Sequence, residues 1–244
     1  MILYIDAGNT QTKWIISNNN QDIKSGNFNN SDINDFVIKE QLDEVFISSV
    51  NSTQFNQQLV SQLSVPTEVI FFAQKNQKFL PYSYSEDLGI DRWLGCLFVS
   101  KKVVENAILI DAGTAITIDF IKMGEHSPNF YEAGVILPGM HMFFNSLQRD
   151  TKKISLSSSE ISDQINDTDS AVMHGFFMAV NGAIYKFIQF YELDKNNLMV
   201  FISGGDGLSI TRSRYFDFSQ SHTFIQNSVI NGLKIYRELT FSDK

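Results

Sequence analysis

One short pattern of residues that could do chemistry occurs twice in the sequence. Ile5-Asp6-Ala7-Gly8-Asn9-Thr10 and Ile110-Asp111-Ala112-Gly113-Thr114-Ala115 each place Asp-Ala-Gly directly after an apolar run. Apolar residues also follow each copy, so the pattern predicts a strand, a tight turn and a second strand. Small residues let backbone N–H groups approach an anion closely, and an aspartate beside a phosphate requires a cation between them. We call residues 6–10 the first turn and residues 111–115 the second turn; together they are typical of a site for a nucleotide and its metal ion.

Three further features favour phosphoryl transfer, which needs positioning and charge neutralisation more than covalent chemistry. Lys13 is a compact cation that could bind phosphate, Ser203-Gly204-Gly205-Asp206 is a third small-residue turn after an apolar run, and Asp91 is a candidate base. The sequence has no Walker A run, no strand followed by G-x-G-x-x-G and no protein-kinase signature, which excludes those kinase classes.

Each of these features also has a purely structural interpretation. A single Asp-Ala-Gly-Asn turn could be an ordinary β-hairpin, although its repetition favours the nucleotide interpretation. Asp91 could simply cap a helix, with Arg92 as a surface partner. The four histidines show no metal-ligand spacing, and Cys96 lies within an apolar segment that is a poor place for a nucleophile.

Composition limits the class of protein. The chain has 244 residues, a net charge of −8, 43% hydrophobic and 19% charged residues, and a single cysteine. An acidic balance disfavours nucleic-acid binding, and one cysteine cannot form an internal disulfide. Asp6 interrupts the first apolar run, so no signal peptide is predicted, and no apolar run reaches the roughly 20 residues of a membrane helix. We therefore expect a cytoplasmic protein with no nucleic-acid or membrane partner.

The apolar pattern predicts the elements that must position these residues. Residues 17–35 are expected to be loops or edge hairpins, and residues 124–129 and 155–167 to be a turn and a loop. Single strands are predicted at 45–50, 68–72, 131–136 and 198–202, and a strand, turn and strand at 2–16 and again at 107–121. Helices are predicted at 54–63, 91–104, 142–147, 170–191 and 224–239. This alternation predicts an α/β fold. Because Asp111 follows Asp6 by 105 residues (111 minus 6), we expect two copies of one fold, in domains 1–106 and 107–244.

These residues, in this order, resemble the type III pantothenate kinases, which belong to the superfamily of acetate and sugar kinases, chaperones and actin. The resemblance extends over nearly the full length. It is carried by Asp6-x-Gly8-Asn9-Thr10-x-x-Lys13-Trp14, Gly89-x-Asp91-Arg92, Asp111-x-Gly113-Thr114-Ala115-x-Thr117-x-Asp119, Gly134-x-x-x-Pro138-Gly139 and Gly204-Gly205-Asp206. It implies two ribonuclease H-like (actin-like ATPase) halves with mixed sheets flanked by helices, and a nucleotide cleft between them.

The resemblance also implies an activity and a set of roles. The activity is ATP-dependent phosphorylation of pantothenate to 4′-phosphopantothenate, the first step of coenzyme A biosynthesis, by a homodimer whose substrate site lies at the interface. Asp91 would be the general base and Asp111 the ligand of a potassium or ammonium ion, while Mg²⁺ accompanies the nucleotide. ATP would contact Asp6, Ala7, Gly8, Asn9, Thr10, Gln11, Thr12, Lys13 and Thr114, and pantothenate would contact Tyr82, Gly89, Ile90, Asp91, Arg92 and Thr168.

Two departures and two alternatives accompany this resemblance. The family's usual proline three residues after the substrate tyrosine is Ser85 here, and its usual threonine before Gly-Gly-Asp is Ser203. A kinase of the same superfamily acting on another small alcohol or carboxylate would share these motifs. A non-catalytic accessory regulator is a different class of alternative, although such a protein would be free to lose Asp91, Lys13 and Asp111.

Overall fold

Each repeated turn joins two adjacent strands of its own five-stranded sheet. The computed structural model describes residues 1–85, 87–124, 129–151, 164–218 and 222–241. The chain forms two units: unit 1 comprises Met1–Lys102, Gly124–Glu132 and Asn227–Lys244, and unit 2 comprises Val103–Met123 and Ala133–Gln226. A single boundary between residues 106 and 107 stays a prediction, since these units are not divided by one cut.

The first sheet is mixed. Its strands are β1 (Ile2–Ala7), β2 (Gln11–Asn18), β3 (Gln21–Asn29), β4 (Glu44–Ser49) and β5 (Ile70–Phe72). They are arranged in the order β3-β2-β1-β4-β5. β1 and β2 are antiparallel, as are β2 and β3, whereas β4 runs parallel to both β1 and β5.

The second sheet repeats this arrangement. Its strands are β6 (Asn106–Ala112), β7 (Ala115–Lys122), β8 (Phe130–Pro138), β9 (Leu198–Ser203) and β10 (His222–Phe224). Their order, β10-β9-β6-β7-β8, is that of the first sheet read from the opposite edge. β6 is again antiparallel to the strand after its turn and parallel to its other neighbour. The predicted duplicated α/β fold with mixed sheets is confirmed.

Helices cover the first sheet on both faces. The helices of the chain are α1 (Thr53–Ser61), α2 (Ile90–Ser100), α3 (Met140–Asp150), α4 (Thr168–Phe190), α5 (Gly207–Arg212) and α6 (Ser228–Phe241). On one face of the first sheet, Leu59 of α1 joins a buried cluster with Leu3 and Ile47. On the other, α2 and α6 pack against each other so closely that a Cβ at Gly232 would lie 2.1 Å from the Leu94 carbonyl oxygen.

Helix α4 is the central helix of unit 2. Asp167 and Ser170 start it with a reciprocal capping box, in which the Ser170 N–H donates to Asp167 Oδ1 at 2.7 Å,. Its buried side includes Phe176, Phe177 and Ile184, which pack against the second sheet. Among the described residues, α4 is the one helix that is long and apolar enough to cross a membrane, but half of that apolar stretch is buried inside the protein, as in a core helix.

The predicted elements differ from the observed ones at a few ends. α2 ends at Ser100 rather than 104, before the β-branched pair Val103-Val104, and α3 is longer than predicted. Phe224 was predicted to be helical but lies in β10, where the Ile225 N–H donates to the Ile202 carbonyl at 2.7 Å. Sheet pairing there outweighs the helical spacing of the apolar residues. The short helix α5 was not predicted.

The polar stretch at 17–35 contains β3, an edge strand, so the edge-hairpin alternative is confirmed. The predicted turn at 124–129 and loop at 155–167 lie largely outside the described residues, as does His126.

Candidate active site

The first turn closes the hairpin between β1 and β2. Asp6 lies opposite Lys13 in this ladder, so the carboxylate and the ammonium group are on the same face of the sheet,. The Gly8 N–H donates to the Gln11 carbonyl at 3.2 Å, and a Cβ at Gly8 would lie only 3.1 Å from that oxygen. Asn9 is exposed at the tip of the turn. The predicted phosphate-binding residues 6–13 therefore belong to one hairpin with a glycine where the backbone is tightest.

Two asparagines that the sequence analysis did not select hold the carbonyl groups of this turn. Asn51 Nδ2 donates to the carbonyl oxygens of Ala7 and Gly8, at 2.9 and 2.6 Å. Asn30 Nδ2 donates to those of Gly8 and Asn9, at 2.7 and 3.1 Å. Both asparagines follow strand ends by one or two residues, a signal too common in sequences to identify them.

Thr12, which was predicted to contact the nucleotide, is fully buried. Its hydroxyl donates to Asn30 Oδ1 at 2.8 Å, which fixes the orientation of the Asn30 amide. The side chain of Thr12 therefore supports the turn from the interior of the sheet.

Backbone hydrogen bonds restrain the second turn. The Gly113 N–H donates to the Ala115 carbonyl at 3.0 Å, and the Gly139 N–H donates to the Thr114 carbonyl at 3.1 Å. A Cβ at Gly139 would lie 2.2 Å from the Gly113 carbonyl oxygen, so only glycine allows the start of α3 to approach this closely. Thr114 itself is exposed.

A second glycine contacts the same turn from the end of β9. Gly204 has a φ of +90°, and a Cβ at this position would lie 2.2 Å from the Ala112 carbonyl oxygen. The Asp206 N–H donates to that oxygen at 3.0 Å. The Ser-Gly-Gly-Asp motif therefore forms the back of the second turn, a position that its sequence alone did not specify.

Asp206 brings a second carboxylate close to this turn. Burial raises its pKa, while a hydrogen bond from the Met140 backbone and the charge of His141 act in the opposite direction. Asp206 was not among the predicted site residues, although its motif was noted.

The aspartate of each repeated turn has a buried serine beside it in the parallel neighbouring strand. Asp6 is aligned with Ser48 of β4, and Asp111 is aligned with Ser203 of β9. Ser48 is fully buried, and Ser203 is 3% exposed. The duplication therefore includes the strand pair that supports the aspartate as well as the turn.

Asp91 lies in the first turn of α2, after the N-cap residue Gly89. Its Oδ1 accepts a hydrogen bond from the Arg92 N–H at 2.8 Å. A Cβ at Gly89 would lie 2.5 Å from this oxygen, so glycine provides the space that the carboxylate occupies. The N-terminus of a helix favours the ionised form, but burial outweighs this effect and raises the pKa of Asp91 above its usual 3.8,.

Arg92 is a buried residue, not a surface partner of Asp91. It is 8% exposed, and its Nη2 donates to the hydroxyl of Tyr131 at 2.8 Å. The ring of Tyr84 lies 5.6 Å from the guanidinium carbon, a cation–π distance,. Tyr131 also forms a parallel β-bridge with Tyr82. The structure thus connects the predicted substrate residues Tyr82 and Arg92 through Tyr131, which the sequence analysis did not select.

Gln77 fixes the backbone of the predicted substrate tyrosine. The Tyr82 N–H donates to Gln77 Oε1 at 2.9 Å, and Gln77 Nε2 donates to the Tyr82 carbonyl at 3.0 Å. Lys75 lies 5.6 Å from the centre of the Tyr82 ring. This pair of hydrogen bonds restrains the loop in which Ser85 replaces the family's usual proline.

The remaining predicted substrate residues lie at two helix starts. Ile90 is the first residue of α2 in unit 1. Thr168 is the first residue of α4 in unit 2 and is exposed.

Comparison with known proteins decides the family. The family model for type III pantothenate kinase matches residues 2–189. The chain belongs to the type III pantothenate kinase family. A type III pantothenate kinase from Cellvibrio japonicus is 28% identical over 257 aligned residues, which cover 98% of both chains.

Solved structures agree on the fold. A Campylobacter jejuni protein assigned to the Baf family of transcriptional activators superposes with a TM-score of 0.66, at 23% identity and 98% coverage of both chains. A non-polymerisable quadruple mutant of ParM superposes with a TM-score of 0.52, at 12% identity and 99% coverage of both chains. At these identities the similarity shows the shared fold of the type III kinases and actin-like ATPases only.

No group of three or more His, Cys, Asp or Glu suited to hold a metal ion occurs in the part of the chain that the structure describes. Magnesium ions in kinases are commonly bound by one or two carboxylates together with the phosphates of the substrate, so single carboxylates such as Asp6 fit that mode.

Proposed function

We propose that this chain transfers the γ-phosphoryl group of ATP to the primary alcohol of pantothenate, giving 4′-phosphopantothenate. The family match over residues 2–189 carries the proposal. The geometry supports it in two ways. Backbone atoms approach each turn so closely that glycine is needed beside it, and Asp91, a partly buried carboxylate with a raised pKa, lies at the start of α2.

In this proposal residues 6–11, Lys13 and Thr114 contact the phosphates of ATP, while the buried Thr12 supports the turn through Asn30. Mg²⁺ bound with the nucleotide neutralises phosphate charge. Asp91 accepts the proton of the pantothenate hydroxyl as general base. Tyr82, Gly89, Ile90, Arg92 and Thr168 are assigned to pantothenate binding.

A coupled assay of ADP release tests the activity. We expect ADP release from MgATP to depend on pantothenate, and glycerol, acetate and simple sugars to give little or none. Release with one of those controls and none with pantothenate would instead indicate a kinase for another small alcohol or carboxylate. A protein that binds neither ATP nor pantothenate would fit the accessory regulator.

A monovalent cation beside Asp111 is part of the proposal. Asp111 is aligned with Ser203, and carboxylate and hydroxyl oxygens are suitable ligands for a hard cation. We expect turnover in potassium or ammonium salts and little turnover at the same ionic strength of sodium or choline salts. Full activity in sodium alone would contradict the role of Asp111.

A homodimer is also proposed, and helix α4 offers a surface for it. The side of α4 opposite the core exposes Ala171, Gly175, Met178, Gly182 and Phe190. A Cβ added at either glycine would meet no described atom within 4 Å, so another helix could approach this side closely. We expect sedimentation velocity to give a dimer; a fully active monomer would contradict this arrangement.

We place the protein in the cytoplasm with no nucleic-acid or membrane partner. The net charge of −8 disfavours binding to nucleic acid,, and a single, buried cysteine, Cys96, fits a reducing compartment,.

A further inference from the structure

In both turns, hydrogen bonds from the protein restrain the backbone carbonyl groups. In a turn that binds an anion, the backbone N–H groups must face the ligand and the carbonyl oxygens must point away, because carbonyl oxygens repel phosphate. In the second turn, the backbone N–H groups of Asp206 and Gly139 hold the carbonyls of Ala112 and Thr114.

The first turn relies on side chains for the same restraint. Asn51 and Asn30 donate four hydrogen bonds of 2.6–3.1 Å to the carbonyl oxygens of Ala7, Gly8 and Asn9. The Val50 N–H also reaches the Ala7 oxygen, at 3.3 Å. Three successive carbonyl groups are therefore held by donors of the protein.

The orientation of the Asn30 amide is itself fixed. The buried Thr12 hydroxyl donates to Asn30 Oδ1 at 2.8 Å, so the Asn30 NH₂ group faces the turn. The same NH₂ group lies 3.4 Å from Asn51 Oδ1, and the Asn51 backbone N–H donates to Ser49 Oγ at 3.1 Å. The two asparagines form one connected network, extending from the core of the sheet to the turn.

We propose that Asn30 and Asn51 are positioning residues that hold the first turn in its phosphate-binding conformation. This inference rests on the proposed function in that the bound anion is the phosphate chain of a nucleotide. Neither asparagine needs to touch the nucleotide. Losing either amide lets the carbonyl of Gly8 rotate toward the phosphates, which weakens nucleotide binding and leaves pantothenate binding unchanged.

The test uses Asn51→Ala, Asn30→Ala and the double variant of the full chain. The matched control is Asn129→Ala, since Asn129 Nδ2 donates to the Ser100 carbonyl at 2.8 Å and lies in a different part of unit 1. Binding of ADP with Mg²⁺ is measured by calorimetry without pantothenate, together with the melting temperature. The KM for pantothenate and kcat are measured in the ADP-release assay.

We expect each single variant to raise the Kd for MgADP about tenfold, the size expected from losing one or two restraining hydrogen bonds. Because both amides hold the Gly8 oxygen, we expect the double variant to depart from the product of the single effects. The KM for pantothenate should change less than twofold. Asn129→Ala should lower the melting temperature by a similar amount and leave the Kd unchanged.

Equal losses of melting temperature in all variants, with an unchanged Kd for MgADP, would overturn the inference, since the asparagines would then be structural only. Hydrogen exchange of the unmodified protein gives a second test in case a variant fails to fold. MgADP should protect the amides of residues 9 and 10, and unchanged exchange there in the bound protein would also overturn the inference. Binding of MgADP with no turnover of pantothenate would instead disprove the proposed function and leave this inference standing.

Discussion

Asp91→Asn is expected to lower kcat about 10²–10⁴-fold, the range that general acid–base catalysis contributes. The asparagine keeps the shape of the side chain but cannot accept the proton of the pantothenate hydroxyl. Binding of MgADP should remain nearly unchanged. Rates are measured in the ADP-release assay with saturating ATP, and unchanged turnover would remove Asp91 as the base.

Asp87→Asn is the matched control, since Asp87 is an exposed carboxylate four residues before Asp91 and outside α2. We expect it to have full activity. If both variants lost activity equally, the loss would reflect a general change in charge near the substrate loop.

The same residue predicts a pH dependence with a defined sign. Burial raises the pKa of Asp91 in the folded protein above 3.8, and the base acts only when ionised. Activity should therefore fall, as the pH is lowered, at a higher pH than an ordinary aspartate would give.

Because the folded state binds this proton more tightly than the unfolded chain, ionised Asp91 costs stability at neutral pH. We expect Asp91→Asn to melt at the same or a higher temperature.

Gly204→Ala is expected to destabilise unit 2 by about 2–5 kcal/mol, combining a left-handed backbone with steric overlap. Gly204 has a φ of +90°, and its Cβ would overlap the backbone of Ala112, which cannot move without disrupting β6. Thermal unfolding should begin roughly 10 °C lower. Nucleotide affinity should fall as well, since the overlap displaces the second turn.

The neighbouring residue provides a matched control. A Cβ at Gly205 would meet no described atom within 4 Å, and its φ is not in the left-handed region. Gly205→Ala should therefore unfold within a few degrees of the unmodified protein. Equal stability of both variants would show that the contact with Ala112 is not needed to form the second turn.

Much of the framework could be predicted from the sequence because it depends on local patterns. The two Asp-Ala-Gly copies identified the turns, and the apolar runs identified the strands on either side. The repeat also predicted the duplication, which the equal strand orders confirm. Local patterns do not show which distant side chains donate hydrogen bonds to the backbone of a turn. Asn30, Asn51 and Gln77 act through contacts with residues that carry no matching signal, so only the folded structure reveals them.

The electrostatics of Asp91 could not be predicted for a similar reason. Its place at a helix start is evident from sequence and suggests an ionised carboxylate. How deeply the helix start is buried depends on packing between distant segments, and burial determines the direction of the pKa shift. The burial of Arg92 could not be predicted either, because its partner Tyr131 is distant in the sequence and lies beside it only in the folded chain.

The last helix of the chain completes the first unit, and this has a consequence for synthesis. The ring of Phe241 in α6 lies 5.9 and 5.4 Å from the rings of Phe46 and Phe71 on the first sheet. The ribosome synthesises most of unit 2 after Phe71 and before Phe241, which takes on the order of ten seconds. During that interval the nascent chain exposes the aromatic face of its first sheet. The first sheet therefore completes its aromatic packing only after α6 has been synthesised.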